Sequence, residues 1–303
     1  MKILCIVGAT ATGKSKLGIY LAQKFKGEIV NFDSRQTYRD FPIITAQPTK
    51  EERALCPHHL YGFLEAQERI NAGEFANRAH ECIKEIDERG NIPILVGGTG
   101  LYLRAILYGL AQIPPVEDSI RKRVIEEYKR MGGERMWQRL KEVDPEYALK
   151  IHPRDKQRIT RALEVYEATG RPFSWFHHHR GPIERKYHPL KIGIHTTLSS
   201  LTPRLARRID QMVREGGIEE VRSIWEKGLS HDSFIWSAIG CREVVSYLEG
   251  KISLDEAKER WLKNTRRYAK RQITWFKGEK DIVWIQEEDI EGAKKKVERF
   301  LEG

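Results

Sequence analysis

Over its first hundred residues the chain alternates short apolar runs with helical spacing. Ile3 to Val7 is an unbroken apolar run, and Leu17, Tyr20, Leu21 and Phe25 then recur at helical intervals. Gly27 stops that helix. Glu28-Ile29-Val30-Asn31-Phe32 reads as a second strand, with Asp33 at its C-terminal end. Phe75, Ala79, Ile83 and Ile86 mark another helix, closed by Gly90. Ile92-Pro93-Ile94-Leu95-Val96 is a third strand, apolar enough for burial on both faces, and it empties into Gly97-Gly98-Thr99-Gly100 before a helix from Leu101. Strands and helices in alternation predict an α/β fold: a P-loop NTPase-like core with a parallel sheet flanked by helices.

From Pro114-Pro115 the pattern changes. Residues 117–168 carry successive helical patterns, such as Ile120, Val124 and Tyr128, and no convincing strand. This predicts an inserted all-helical domain between the diproline and the loop Gly170 to Pro189. Leu190 to Leu198 reads as a returning core strand, followed by helices at 203–215, 218–227, 238–249 and 254–277. Residues 281–285 suggest an edge strand and 289–302 a closing helix. The expected organisation is core at 1–113, helical insertion at 114–186 and core again at 187–303.

Composition narrows the setting. The 303 residues are 40% hydrophobic and 32% charged, as in globular domains. A net charge of +10 and a pI near 9.3 favour a polyanionic partner, nucleic acid first. No apolar run approaches the ~20 residues that span a bilayer, so no membrane partner is expected. The run at 3–7 is too short for a secretion signal, and Cys5, Cys56, Cys82 and Cys241 form no C-x-x-C pair. Both point to a reducing, cytoplasmic location. The tract Phe176-His177-His178-His179-Arg180 reads as a solvated basic loop, because adjacent histidines seldom converge on one ion.

The chemistry begins at Gly8-Ala9-Thr10-Ala11-Thr12-Gly13-Lys14-Ser15, which fits G-x-x-x-x-G-K-[ST] between a strand and a helix. Consecutive N–H groups and the helix N-terminus cradle phosphate oxygens in such a loop. Lys14 adds a charge on the outer phosphate, and the Ser15 hydroxyl is a ligand for Mg²⁺. Nucleotide and ATP binding are therefore in view, but the loop leaves the reaction open. An N-K-x-D base-reading motif of GTPases is missing, and the strand at 92–96 ends without a Walker B carboxylate. Asp33 would serve either as the metal ligand of a small-molecule kinase or as a general base toward a nucleophile that attacks something other than phosphorus. A phosphate site that has lost its chemistry in a nucleic-acid-binding protein is a third reading, opposed by the intact Lys14, Ser15 and Asp33.

The run Arg260 to Lys277 holds seven basic residues and no acidic one. Arg260, Lys263, Arg267, Lys270 and Arg271 share a helical sector, a phosphate-backbone track, while Leu262, Ala269, Ile273 and Phe276 supply a buried stripe. Arg154, Lys156, Arg158 and Arg161 form a second basic cluster, and Trp175, Trp236, Trp261 and Trp275 are candidate stacking surfaces.

Together with the phosphate loop, the segments Asp33-Ser34-Arg35-Gln36-Thr37-Tyr38-Arg39, Gly97-Gly98-Thr99-Gly100-Leu101-Tyr102, His152-Pro153-Arg154-Asp155, Arg161-Ala162-Leu163-Glu164-Val165, Ala238-Ile239-Gly240 and 269–276 occur in an order that resembles the bacterial tRNA dimethylallyltransferases over nearly the full chain. The resemblance implies transfer of the dimethylallyl group from dimethylallyl diphosphate to N6 of the adenine beside the tRNA anticodon. The loop then holds diphosphate as a leaving group, with Mg²⁺ on Ser15. By position it implies Asp33 as the general base, with Arg208, Lys14 and Thr10 at the diphosphate; the adjacent Arg207 competes with Arg208. Implied tRNA contacts fall on Asp33, Ser34, Arg35, Gln36, Thr99, Arg121 and Gln157, Arg158, Ile159, Thr160 and Arg161, with Lys263, Arg267 and Lys270 added from the basic track. The base is expected to flip out of its stack, with Thr99 and Gln36 beside it and the helical insertion on the anticodon stem. A monomer is expected. Adenine-nucleotide prenylation of the cytokinin type is the alternative within the fold. The sequence departs from the family pattern at Ile44 and Gln47, where glycine and lysine are usual, and at Arg154, commonly asparagine. The zinc finger of eukaryotic members has no counterpart here.

Overall fold

The computed structural model describes residues 1–179, 187–230 and 233–303. The chain runs β1 (Lys2–Val7), α1 (Lys14–Phe25), β2 (Gly27–Asn31), α2 (Lys50–Leu55), β3 (His58–His59), α3 (Ala72–Glu88), β4 (Ile92–Val96) and α4 (Gly100–Tyr108). A helical stretch follows: α5 (Asp118–Met131), α6 (Gly133–Val143), α7 (Pro145–Ala148), α8 (Lys156–Thr169) and α9 (Phe173–His178). The chain returns with β5 (His188–Ile194), α10 (Leu198–Arg214), α11 (Gly217–Trp225), a 3-10 turn (Phe234–Ser237), α12 (Cys241–Leu248), α13 (Leu254–Lys277), β6 (Ile282–Ile285) and α14 (Ile290–Glu302). It divides into two compact units: Met1–Tyr108 with the described part of Arg185–Gly303, and the described part of Gly109–Glu184. The first division falls between residues 108 and 109, ahead of the diproline.

The first unit is a six-stranded, all-parallel sheet in the order β3-β2-β4-β1-β5-β6. Ile3 to Val7 of the central β1 are fully buried, as an all-apolar strand covered on both faces requires. Register, more than burial, positions the site. Ile6 pairs with Val96, Val96 with Asn31, and Val7 with Gly193, so β1, β2, β4 and β5 end along one edge. Gly8, Asp33 and Gly97 all leave the sheet there, the edge where parallel sheets gather ligands.

Several boundaries differ from the sequence reading. β3 and α2 escaped it; two residues make a strand only because Ile29 and Val30 of β2 offer an edge, and Glu28 then accepts a hydrogen bond or proton from His59 at 2.6 Å. β5 ends at Ile194 because Thr197 caps α10, its Oγ1 accepting from Ser200 N at 3.2 Å. The helix predicted at 238–249 is shorter, starting at Cys241 because Gly240 takes φ 102°, and a 3-10 turn at Phe234–Ser237 precedes it.

The helical unit has its own core of Val124, Met136, Leu140, Ala148, Ile159 and Leu163. The histidine tract is no loop: α9 carries it to His178, which meets Glu146 at 2.7 Å, and His179 stacks on Trp175 with ring centroids 4.1 Å apart. Arg180 lies outside the described residues, as does part of the expected Gly170 to Pro189 connection.

Candidate active site

Gly8 to Ser15 leaves β1 and enters α1. Gly13 precedes the helix in the left-handed region, φ 83°, which a glycine adopts at no steric cost. Ala11 is also left-handed, at φ 62°, a conformation that the loop imposes on a residue with a Cβ. Thr12 braces the bend by donating to Ala9 O at 2.8 Å. Lys14 Nζ folds back to Ala9 O at 2.6 Å, and burial pushes its ammonium down to about 8, against the opposing pull of Asp33. Ser15 is exposed at the helix start.

Asp33 stands two residues beyond β2. Its amide donates to Asn31 Oδ1 at 2.7 Å and its Oδ1 accepts from Arg35 N at 3.0 Å, a local turn that fixes the carboxylate. Among the described residues, no hydrogen bond engages Oδ2. Thr99, from the loop after β4, accepts from Ser34 N at 3.0 Å and lies against the Ser34 hydroxyl at 3.3 Å.

Arg208 reaches this group from α10, with Nη1 3.4 Å from Thr10 Oγ1. Burial lowers its pKa while Asp33 opposes that shift. Arg207 is exposed, so of the two neighbours Arg208 is the one at the loop. Thr10, Asp33, Arg35 and Arg208 line one pocket of about 600 Å³, counting its open mouth, with Ile44, Leu205, Ile239 and Trp261 as apolar wall. Charge for a phosphate, a carboxylate for a proton and an apolar surface therefore share one space.

Four participants were given no role by the sequence reading, although Gln272 lies in the 269–276 segment of the resemblance. Gln272 of α13, 4% exposed, accepts from Thr10 N at 2.9 Å and donates to Gly98 O at 3.1 Å, tying the phosphate loop to the loop after β4. Tyr268 lines the pocket one helical turn earlier, its phenol beside Thr99 and its pKa raised by burial. Glu287, ion-paired with Arg204, lies so near the loop that a Cβ on Gly13 would be 2.9 Å from its Oε1. Glu220 of α11 holds the turn that carries Ile44. A buried polar residue inside an otherwise apolar helical stripe was the one signal available for Gln272.

The remaining candidates separate by burial. Gln36 is turned away, donating to Thr45 O at 3.2 Å and Ala46 O at 2.5 Å. Ile44 is buried, and Gln47 donates to Tyr38 O at 2.7 Å, so both departures from the family pattern are built into the turn. Lys263, Arg267 and Lys270 lie on the exposed side of α13, opposite the buried Trp261, Ala269 and Phe276. In the helical unit, Arg121, Gln157 and Arg158 are exposed and Arg161 pairs with Glu164 at 3.4 Å. Ile159 and Thr160 need correcting as contact residues. Ile159, 0% exposed, packs in that unit's core, and Thr160, 6% exposed, donates to Gln157 O at 3.4 Å, so neither side chain is open to a partner. Trp236 is likewise a core residue, and Trp261, 3% exposed, reaches the pocket only as part of its apolar wall.

A phosphate loop on the central strand of a parallel sheet, with an aspartate after β2, two strands away on the same edge, defines a P-loop α/β protein. The chain belongs to the IPP transferase family, whose sequence model matches residues 36–279. It is 49% identical to the tRNA dimethylallyltransferase of Maridesulfovibrio salexigens over 291 residues, 96% of this chain and 94% of that protein. The tRNA dimethylallyltransferase of a Thermoanaerobacter species is 43% identical, over 100% of this chain and 98% of its own. Among solved structures, the tRNA isopentenylpyrophosphate transferase of Bacillus halodurans superposes with TM-score 0.71 at 36% identity, covering 100% and 96% of the two chains. A eukaryotic dimethylallyltransferase acting on tRNA gives TM-score 0.78 at 32% identity, covering 96% of this chain and 75% of that one.

Proposed function

We propose that this transferase moves the dimethylallyl group from dimethylallyl diphosphate to N6 of the adenine 3′ to the tRNA anticodon, releasing diphosphate. One observation carries the reading: Asp33, Thr10 and Arg208 converge on a single pocket beside the phosphate loop, and that pocket has an apolar wall. A kinase has no use for an apolar wall between its base and its phosphates. An allylic diphosphate needs one.

In this reading the N6 lone pair forms a bond to C1 of the allyl group as the C1–O bond breaks and its electrons leave with diphosphate. The N6 proton passes to Asp33 Oδ2, the oxygen that the local turn leaves available. An exocyclic amine is weakly basic, so a carboxylate in hydrogen-bond reach lowers the barrier as positive charge grows on nitrogen. Lys14, Arg208 and the loop amides receive the charge that develops on the diphosphate. Ser15 suits Mg²⁺, being an exposed hard oxygen at the loop's end. An ion held there would neutralise charge on the leaving group, with the Ser15 hydroxyl as its ligand from this chain. On tRNA, exposed Arg121, Gln157 and Arg158 of the helical unit and Lys263, Arg267 and Lys270 of α13 contact the phosphate backbone. The protein acts as a cytoplasmic monomer.

The test combines purified protein, Mg²⁺, unmodified tRNA and dimethylallyl diphosphate, with mass spectrometry of the digested nucleosides. An adenosine heavier by one dimethylallyl group is expected, and Asp33→Ala should lower kcat by about 10²-fold while sparing tRNA affinity. Prenylation of free AMP but not tRNA would move the chain to the nucleotide-modifying branch. ATP consumption alone would refute the mechanism.

A further inference from the structure

The pocket wall that carries Ile44 and Thr45 is a single tight turn, residues 41–47, with no secondary structure of its own to hold it. Inside it Ala46 N donates to Ile43 O at 2.9 Å and Gln47 N to Pro42 O at 2.8 Å. As at any helical start, the leading N–H groups find no acceptor within the turn. Those of Ile43 and Ile44 are taken by the two carboxylate oxygens of Glu220, at 2.7 and 2.8 Å. Glu220 comes from α11, far away in sequence, and α11 seats the turn sterically as well: ideal Cβ atoms on Gly216 and Gly217 would lie 3.9 and 3.5 Å from the Ile43 side chain.

We propose that Glu220 is a positioning residue for the donor site, holding the Ile44–Thr45 wall in the place where it meets the allyl group. The inference rests on the prenyl-transfer reading above. A bidentate carboxylate grip is the strong form of the contact; a neutral acid or an amide keeps one good acceptor and turns a donor toward the second N–H. Grip and charge are coupled. Burial, more than Asp40, raises the Glu220 carboxyl to about 7, and the two turn amides pull it back down. Around it stand Asp40 just ahead of the turn, itself 3.9 Å from Lys227, and the Cys241 thiol of α12, which burial and Glu220 push up. Glu243 of α12 is engaged elsewhere, with Gly240 N and Asn264, and α10 presents the apolar Ile209 and Met212. Acidification below neutrality therefore protonates Glu220 and loosens the wall.

Two measurements decide it. Hydrogen exchange of the Ile43 and Ile44 amides in the wild-type full chain, corrected for intrinsic rates, should lose protection as pH falls from 8 to 6. Ile43 and Ile44 amides that exchange unprotected at pH 8 would overturn the proposal, and this readout needs neither a variant nor catalysis. Glu220→Gln should raise the KM for dimethylallyl diphosphate by about tenfold with kcat changed less than threefold, and should abolish any step in KM near pH 7 that the wild type shows. Glu220→Asp should recover part of the loss. A wild-type KM in Glu220→Gln, with the wild type active on tRNA, would sink the positioning role alone. Inactivity of the wild type would instead sink the prenyl-transfer reading, leaving exchange to judge the turn.

Discussion

Replacing Gln272 tests whether the two loops at the sheet edge act as one piece. Leucine has nearly the same size but removes both hydrogen bonds, leaving Thr10 N–H and Gly98 C=O without their partner. Gln272 is 4% exposed and Gly98 is buried, so Gly98 O bears the full penalty of an unmade bond, about 1–3 kcal/mol. Thr10 is half-buried and water recovers part of its loss, which places the sum at about 2–3 kcal/mol. At about 2–4 °C per kcal/mol for a chain of this order, Gln272→Leu should melt about 4–12 °C below wild type. Gln272→Glu separates geometry from mere polarity. Its carboxylate still accepts from Thr10 N but sets an oxygen against Gly98 O and brings negative charge to the diphosphate loop. It should be no more stable than the leucine variant and should raise the donor KM further. Calorimetry with steady-state kinetics on both variants is the assay. A leucine variant within 1 °C of wild type, with unchanged KM, would show that the bridge organises nothing.

Two further outcomes arise from charge. Lys14 titrates at about 8, below its ordinary 10.5, because it is buried; its charge on the donor phosphate is lost above pH 8, so donor KM should climb up to tenfold per pH unit there, a rise absent in Lys14→Met. The same depressed value means that ligand-free stability should increase with pH between about 8 and 10.5 relative to that variant, since the unfolded lysine holds its proton longer. Changing Lys263, Arg267 and Lys270 to alanine should reduce the log–log salt slope of tRNA binding by about 2, and an unchanged slope would return α13's exposed face to simple solvation.

The chain's own order of residues determined what is local and covalently close. An unbroken apolar run of five residues ahead of G-x-x-x-x-G-K-S fits a covered strand turning into a helix, and helical spacing told Lys263, Arg267 and Lys270 from Ala269 and Phe276. The ordered motif set was enough to point at the family. Tertiary structure alone decided what depends on contacts between distant segments. Arg208 rather than Arg207 meets Thr10 because α10 turns one side to the loop, and 3.6 residues per turn separate neighbours by about 100°. His58 and His59 become a strand only where β2 supplies an edge, and Ile159 proved to be core because the helices around it close there. The roles of Gln272 and Glu220 were illegible for the same reason: each is a polar side chain on an amphipathic helix, and its meaning lies in backbone groups that the fold brings to it. Those N–H and C=O groups are identical at every position in the sequence, and only folding gives them an address.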